Sequence, residues 1–346
     1  MDALKMAGIY TAVILGAGFA SGKEILTFFI NYGYKGFYGI ILSGIIFSIT
    51  GFCTLKIAAI KNIYTANDFF KYMLGDFSFI METIVSIFLF IMYTTMLSAT
   101  GATLKQEFNC HYICGIIFMA AACYFSYLFG TNFIAKINFF IAPILFFGII
   151  LIGLLTVFKR ECFCQNQIWI KQAILYSSFN IVTGICVIIP ILETLRNKNE
   201  ACMGAIIGGI FTAILGIIIS LAIFFNYNIA TENEIPMLAI TNKLSNKLHL
   251  VSLIIFLLAV FTTAVGNFFS LCEILTQKKI PIFFITLIGI IFANIEFSQL
   301  VSKIYPLLGY VGLFEIILII FHYFTCNLNH IKQNTKKMQN TSQNNK

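Results

Sequence analysis

The sequence predicts an all-α polytopic membrane protein with about ten transmembrane helices in a 5+5 inverted repeat. Hydrophobic residues make up 59% of the 346 positions and charged residues only 10%, against roughly 25% charged in an ordinary soluble domain. Apolar runs of about twenty residues, enough to cross roughly 30 Å of hydrocarbon, recur along the whole chain. Polar interruptions also fall at equivalent places in the two halves, as in inverted-repeat transporters.

Ten apolar runs bounded by polar residues define the predicted spans. They lie at residues 4–32, 37–60, 78–103, 111–129, 132–157, 171–195, 201–226, 248–275, 281–295 and 298–325. We expect one transmembrane domain over residues 1–325, with repeat one at 4–157 and repeat two at 171–325. Residues 326–346, rich in Asn, Gln and Lys, have nothing apolar to bury, so we expect a disordered cytoplasmic tail.

The positive charges predict both termini on the cytoplasmic side of a cell membrane. With the N-terminus inside, thirteen of the 22 Lys and Arg residues fall in cytoplasmic segments, seven outside and two within helices. They occur singly rather than in a stripe with stacking aromatics, which argues against a nucleic-acid partner. The expected partners are the lipid bilayer and a small-molecule substrate.

The first span contains a cluster of glycines that a lipid-facing helix would avoid. Gly16, Gly18 and Gly22 each cost about 1 kcal/mol of helix propensity relative to Ala. Such a run is tolerated where a helix unwinds around a buried cavity or packs closely against a neighbour. Lys23 and Glu24 follow inside the same apolar segment and favour unwinding, because charged residues there are usually functional. The four-residue spacing of Gly18 and Gly22 keeps close packing open.

A second interruption lies in the sixth span, at residues 176–184, where Ser, Asn and Thr stand between apolar arms. Spans 1 and 6 are the first members of the two predicted repeats. Spans 5 and 10 also correspond, because each carries a proline within its apolar run, Pro143 and Pro306. Paired discontinuities predict that helices 1 and 6 are both broken, with a binding site between them at the membrane midplane.

Residues 16–29, G-A-G-F-A-S-G-K-E-I-L-T-F-F, resemble the N-terminal signature of YkvI-like bacterial membrane proteins. That family is regarded as amino-acid permeases of the amino acid, polyamine and organocation superfamily, with the LeuT fold. The resemblance covers the ten-span plan along most of the chain and is specific in span 1. It implies a LeuT-like transporter with discontinuous helices 1 and 6.

The break in span 1 predicts a site for a small zwitterionic or anionic solute. A half-helix beginning near Gly22 would direct free N–H groups and its positive dipole end toward the midplane, where a carboxylate could bind. The resemblance adds a hydroxyl from span 3, although an ordinary packed tyrosine is the open alternative there. The predicted substrate-binding residues are Gly16, Ala17, Gly18, Ser21, Gly22, Tyr93, Ser178, Asn180 and Thr183.

A Thr-Thr pair in span 8 raises the question of a coupling ion. Thr262 and Thr263 could simply bond to carbonyls one turn back. In sodium-coupled LeuT-fold transporters, hydroxyls on this helix meet carbonyls just before the break in helix 1. The resemblance therefore implies a Na⁺ site formed by Ala12, Leu15, Ala259, Thr262 and Thr263.

Glu24 offers a different coupling ion, because a carboxylate near the site could carry a proton instead of Na⁺. Lys23 could serve as an outer gate, although both residues could also be hydrated at the edge of a vestibule. We expect no cofactor apart from Na⁺ or H⁺.

The pattern argues against an enzyme and against an ATP-driven pump. The spans contain no convergent cluster of His, Asp and Glu, and the chain has no phosphate-binding G-x-x-x-x-G-K-[ST] loop. We predict a cation-coupled secondary transporter of an amino acid or similar solute, working by alternating access. A channel-like protein or a non-transporting sensor on the same fold remains the alternative.

Overall fold

The computed structural model describes residues 1–157, 169–277 and 280–344, and it describes their side chains except at 131–139, 142, 276–277 and 327–344. Within these residues the chain is almost entirely helical. The helices are α1 (Asp2–Ser21), α2 (Lys23–Phe28), α3 (Lys35–Lys61), α4 (Ala66–Leu74), α5 (Ser78–Phe108), α6 (Tyr112–Leu128), α7 (Thr131–Leu155), α8 (Ile170–Thr194), α9 (Lys198–Phe224), α10 (Tyr227–Glu232), α11 (Pro236–Leu244), α12 (Asn246–Gln277), α13 (Ile282–Phe292), α14 (Phe297–Gln299) and α15 (Tyr305–Asn344).

The long apolar helices coincide with the predicted spans. In the described part of the chain, seven helical segments are long and apolar enough to cross a membrane, and three shorter apolar helices occupy the remaining predicted positions. The seven are Asp2–Ser21, Lys35–Lys61, Ala66–Phe108, Ile170–Thr194, Lys198–Phe224, Asn246–Leu275 and Phe297–Cys326; the three are Tyr112–Leu128, Pro143–Leu155 and Ile282–Phe292. The protein is therefore a multi-pass helical membrane protein.

The backbone of the first span is interrupted twice. Gly16 has φ 4° and ψ −171°, which is not helical, and Gly22 separates α1 from α2 with φ 75°. A positive φ of this size is readily adopted by glycine and rarely by other residues. Two glycines of the sequence cluster, Gly16 and Gly22, thus lie at the interruptions.

The predicted discontinuity of helix 6 is wrong. Helix α8 runs without interruption through residues 176–184. Its polar side chains bond to carbonyls of their own helix: Ser178 to Ile174, Asn180 to Tyr176 and Thr183 to Asn180. Such back-bonding satisfies a polar group inside an apolar helix without unwinding the backbone.

Glycines allow the helices around the break to approach closely. A Cβ on Gly208 of α9 would lie 3.1 Å from the Ala7 carbonyl oxygen of α1. Likewise, a Cβ on Gly44 of α3 would lie 2.6 Å from the Ala213 Cβ of α9. Interfaces built on small residues are typical of packed membrane helices. Helices α1, α3 and α9 therefore form one closely packed unit.

Helices α8 and α15 form a second close pair and run parallel. A Cβ on Gly309 would lie 2.6 Å from the Leu175 carbonyl oxygen, and one on Gly312 would overlap the Ser178 carbonyl. Gly309 and Gly312 are three residues apart on α15, and the residues they contact on α8, Leu175 and Ser178, are also three apart in the same order. The parallel direction agrees with the predicted order, in which spans 6 and 10 cross the membrane in the same sense.

Helix α15 is described to Asn344. The disordered cytoplasmic tail expected at residues 326–346 stays a prediction. The boundaries of the two repeats, at 4–157 and 171–325, stay predictions, and the loop between them lies largely outside the described residues.

Candidate functional site

The break in the first helix is met by the threonine of α12 that the sequence singled out. The backbone N–H of Ala17 donates to Thr263 Oγ1 at 3.3 Å. A Cβ on Gly16 would lie 3.5 Å from the same oxygen. A non-helical residue leaves backbone groups without their helical partners, and a buried group of this kind needs another acceptor. Thr263 provides that acceptor.

The Ser21 side chain links the end of α1 to the start of α2. Its hydroxyl donates to the Gly18 carbonyl at 2.8 Å and accepts from the Lys23 backbone N–H at 3.0 Å. Gly22 is the N-cap residue of α2 and has no side chain to cap it. One of the N–H groups expected to face a substrate carboxylate is therefore already bonded.

Glu24 lies directly behind the break. It is 4% exposed, and a Cβ on Gly18 would overlap its carboxylate. The Tyr176 and Tyr305 hydroxyls lie within electrostatic range of that carboxylate, and both lack a hydrogen bond of good geometry. Neither of the two ion pairs among the described residues includes Glu24. The chain thus buries a carboxyl group beside the break without a cation.

Aromatic rings from three helices enclose this region. The Tyr176 ring lies 4.9 Å from Phe29 and 5.4 Å from Phe28, and Phe179 lies 4.9 Å from Tyr305. All five side chains are at most 1% exposed. Packed rings of this kind bury large apolar areas and exclude water.

One face of α1 is open from the break toward the N-terminus. Gly8, Ala12 and Gly16 follow one another at a spacing of four residues, so they share one face of the helix. Gly8 and Ala12 are exposed, and a Cβ on Gly8 would meet nothing within 4 Å. At Gly16 this face meets α12, through Thr263. On α12 the site of Gly266 is also open.

The other end of the break is covered by the hairpin of α10 and α11. Lys23 Nζ donates to the Asn233 carbonyl oxygen at 3.0 Å. A Cβ on Gly22 would lie 2.8 Å from Met237 Cγ. Burial raises the pKa of Glu234 above its ordinary value, and Glu296 adds to this, whereas Lys23 opposes it. The break is thus closed on the side of this hairpin and open along the opposite half of α1.

The predicted substrate residues are divided by the structure. Gly16, Ala17, Gly18, Ser21 and Gly22 all lie at the break. Ser178 and Asn180 bond to their own helix and are buried. Thr183, the third predicted residue on α8, is half-buried.

Tyr93 is not brought to the break by any described contact. Its ring lies 4.8 Å from Phe268, a Cβ on Gly289 would lie 2.5 Å from it, and Cys123 and Cys272 lie near its hydroxyl. The side chain faces spans 4, 8 and 9, as an ordinary packed aromatic would.

The predicted Na⁺ ligands are not all turned toward the break. Thr262 donates to the Leu258 and Ala259 carbonyls of its own helix, each at 3.1 Å, which is the simpler of the two interpretations. Ala259 and Leu15 are buried, and Ala12 is exposed. Of the two hydroxyls, only that of Thr263 contacts helix 1.

Sequence reasoning missed one buried carboxyl group. Glu315 lies in α15 and is 0% exposed. The sequence does mark Glu315 as a candidate, because it is a single acidic residue inside the apolar run 307–321. Glu24 was singled out on the same ground.

No protein-family model matches the chain. Over 332 residues the chain is 27% identical to the uncharacterized membrane protein YkvI of Bacillus subtilis (strain 168), and the match covers 90% of this chain and 93% of that protein. The chain is thus similar to YkvI along nearly its whole length. The resemblance predicted from residues 16–29 is thereby confirmed. This chain is also 22% identical over 320 residues to the uncharacterized protein YyaD of the same organism, covering 89% of this chain and 93% of YyaD.

Solved transporter structures share the architecture of this protein. Mhp1, a nucleobase-cation-symport-1 family transporter, in a closed conformation with bromovinylhydantoin bound, matches with a TM-score of 0.64 and 15% identity, over 88% of this chain and 74% of Mhp1. A manganese transporter of Eremococcus coleocola matches with a TM-score of 0.61 and 13% identity, over 92% of this chain and 78% of that protein. Inward-facing Mhp1 matches with a TM-score of 0.56 and 12% identity, over 91% of this chain and 75% of Mhp1. This protein therefore has the LeuT fold.

Proposed function

We propose that this protein is a cation-coupled secondary transporter of a small zwitterionic or anionic organic solute, with an amino acid as the first candidate, working by alternating access. The observation that carries the proposal is the asymmetry around the break in helix 1. The break is covered by Lys23 and the α10–α11 hairpin at one end. At the other end, the face of α1 bearing Gly8 and Ala12 is open.

Alternating access requires a central site that opens to one side of the membrane at a time. The observed arrangement fits the state open to the side of the N-terminus, which the charge distribution places in the cytoplasm. We infer that all ten apolar helices span the membrane as two inverted repeats. The parallel packing of α8 and α15, through Gly309 and Gly312, supports that arrangement.

The break favours a small solute with a carboxylate. Gly16, Ala17 and Gly18 present backbone rather than bulky side chains, which allows a ligand to approach the chain closely. The start of α2 carries the positive end of a helix dipole. Ser21 already bonds the Lys23 N–H, so a carboxylate would bind to the remaining N–H groups or replace Ser21.

The coupling ion is proposed to be H⁺ rather than Na⁺. Thr263 stands where a Na⁺ ligand is expected, but Thr262 is bonded to its own helix, which leaves a smaller set of oxygens. Glu24, in contrast, is a buried carboxyl group without an ion pair. A charge in such a place is costly, so the group is stable when it holds a proton.

The test begins with a thermal-shift screen of the purified protein against amino acids, with and without Na⁺. Compounds that raise the melting temperature are then followed as radiolabelled solutes in proteoliposomes, under an imposed H⁺ or Na⁺ gradient. We expect saturable accumulation driven by the H⁺ gradient, reduced by Thr263→Ala and little changed by Thr262→Ala. Ligand binding without accumulation or counterflow would instead establish the sensor, and flux without saturation a channel.

A further inference from the structure

Glu315 is a carboxyl group isolated inside the protein. It is 0% exposed, and neither of its oxygens has a hydrogen-bond partner among the described residues. Neither of the described ion pairs includes it. Among the described titratable groups, only Cys186 of α8 lies within electrostatic range.

The packing of α15 on α8 sets the position of Glu315. Gly309 and Gly312 lie against the carbonyls of Leu175 and Ser178. Glu315 follows Gly312 by three residues and so continues the same face of α15. It therefore reaches the α8 interface near Cys186, one turn beyond Thr183 of the predicted site.

Nothing described at this position compensates a negative charge. The Cys186 thiol donates to the Val182 carbonyl of its own helix, so it does not serve Glu315. An ionised carboxylate removed from water needs a cation or several hydrogen-bond donors to offset its desolvation. In the observed packing Glu315 must therefore be neutral and hold a proton.

Glu24 differs from Glu315 in its surroundings. The hydroxyls of Tyr176 and Tyr305 lie within electrostatic range of Glu24. Hydrogen bonds to the ionised form favour that form. Glu24 thus has hydroxyl groups near its carboxyl group, whereas neither oxygen of Glu315 has a hydrogen-bond partner among the described residues.

We propose that Glu315 is a proton-binding site between α8 and α15, distinct from Glu24. The O–H bond of the carboxyl group stays intact while the two helices are packed. When the interface opens and water enters, the proton passes to water as hydronium and the carboxylate remains hydrated. The coupling part of this proposal rests on the proposed transport function, while the bound proton does not.

The bound proton is tested directly by infrared spectroscopy of the purified full-length protein at neutral pH. Protonated carboxyl groups give a carbonyl stretching band separate from that of carboxylates. We expect this band in the native protein, its loss or reduction in Glu315→Gln, and no change in the matched control Glu273→Gln, because Glu273 is exposed on α12. A native spectrum without the band, or a band unaffected by Glu315→Gln, would overturn the proposal.

A second replacement, Glu315→Met, serves as the experimental control for folding. A neutral, unpartnered carboxyl can be replaced by an apolar side chain of similar length with little loss, so Glu315→Met should melt at or above the native temperature. A large loss of stability in Glu315→Met would indicate that the carboxyl group makes a contact in the folded state. That outcome would contradict the isolated, protonated group.

The coupling role is tested in proteoliposomes with a solute from the screen. Glu315→Gln should lose accumulation driven by a H⁺ gradient but retain solute counterflow, since exchange needs no net proton movement. If the native protein itself shows no counterflow, the transport function fails while the infrared result still decides the proton site. If Glu315→Gln is folded but loses counterflow too, the coupling role is refuted.

Discussion

The Glu24 carboxylate occupies the space in which a side chain on Gly18 would lie. The two residues are only six positions apart, and they meet because Gly22, with φ 75°, turns α2 back toward the end of α1. A buried carboxyl group is thereby held against bare backbone at the break. The first prediction follows from this contact.

Gly18→Ala should destabilise the protein by about 1–3 kcal/mol, the usual cost of overpacking. The added methyl group would overlap the buried Glu24 carboxylate, so that side chain or the helix must shift. Thermal unfolding in detergent measures the effect. Gly8→Ala is the control, because a Cβ there meets open space and should be neutral or stabilising. Adding Glu24→Ala to Gly18→Ala should recover part of the loss, and equal losses in the single and double variants would exclude the overlap.

Thr263→Ala should cost about 1–3 kcal/mol of stability, because the Ala17 N–H loses its acceptor and a buried unpaired donor is costly. Thr263→Ser keeps the oxygen and should be close to native. Thr262→Ala should have a small effect, since its hydroxyl bonds only to its own helix. The comparison uses melting temperatures of the three variants. Equal losses for Thr262→Ala and Thr263→Ala would mean that the hydrogen bond between Ala17 and Thr263 contributes no more to stability than the bonds of Thr262 within α12.

The α10–α11 hairpin should become less stable as pH rises through the range of Glu234. Burial raises the pKa of this residue, so the folded form binds its proton more tightly than the unfolded form. The contribution of Glu234 to the free energy of unfolding is fully present below its pKa in the unfolded state, about 4.3. It is lost as pH rises through the raised pKa of the folded state. Removing the nearby cation with Lys23→Met should raise the pKa further and extend this decrease to higher pH.

Thermal unfolding measured from acidic to neutral pH records this dependence. Glu234→Gln should flatten the profile, while Glu232→Gln, an exposed neighbour, should leave it unchanged. A profile that keeps its slope in Glu234→Gln would assign the pH dependence to another group.

His249 should hold the covering hairpin to the ends of two long helices. Its Nε2 lies 2.7 Å from Glu107 Oε2 of α5, and its Nδ1 lies 3.2 Å from the Leu238 carbonyl oxygen of α11. His249→Ala and Glu107→Ala should each accelerate hydrogen exchange in α11, with Glu232→Ala as the control. Unchanged exchange in both variants would rule out the connection.

The positions of the spans were predictable because length and apolarity depend only on local sequence. The break in span 1 was predictable too, since glycines at 16 and 22 have few other reasons to stand in a lipid-facing helix. The continuity of helix 6 was not predictable. A Ser or Asn in an apolar run either marks an unwound segment or bonds to its own helix. The sequence pattern of Ser178 and Asn180 is the same in both cases.

Contacts between distant residues limited the prediction of the site. Thr263 contacts the break, and its role as an ion ligand stays a prediction. No described contact brings Tyr93 to the break, because the side of a helix that a tyrosine faces depends on its tertiary neighbours. The position of Glu315 inside an apolar run can be recognised from the sequence without any tertiary information. The predicted site did not include it because it lies far in sequence from the glycine cluster of span 1.

The close packing of α1, α3 and α9 determines which distances in the protein can change during a working cycle. Helices that touch through Gly208 and Gly44 cannot slide past one another without breaking backbone contacts. Spin labels on exposed ends of α1 and α9 should therefore keep one narrow distance distribution in every state. Labels on α1 and α12, which meet at Ala17 and Thr263, should report the motion as a second distance population.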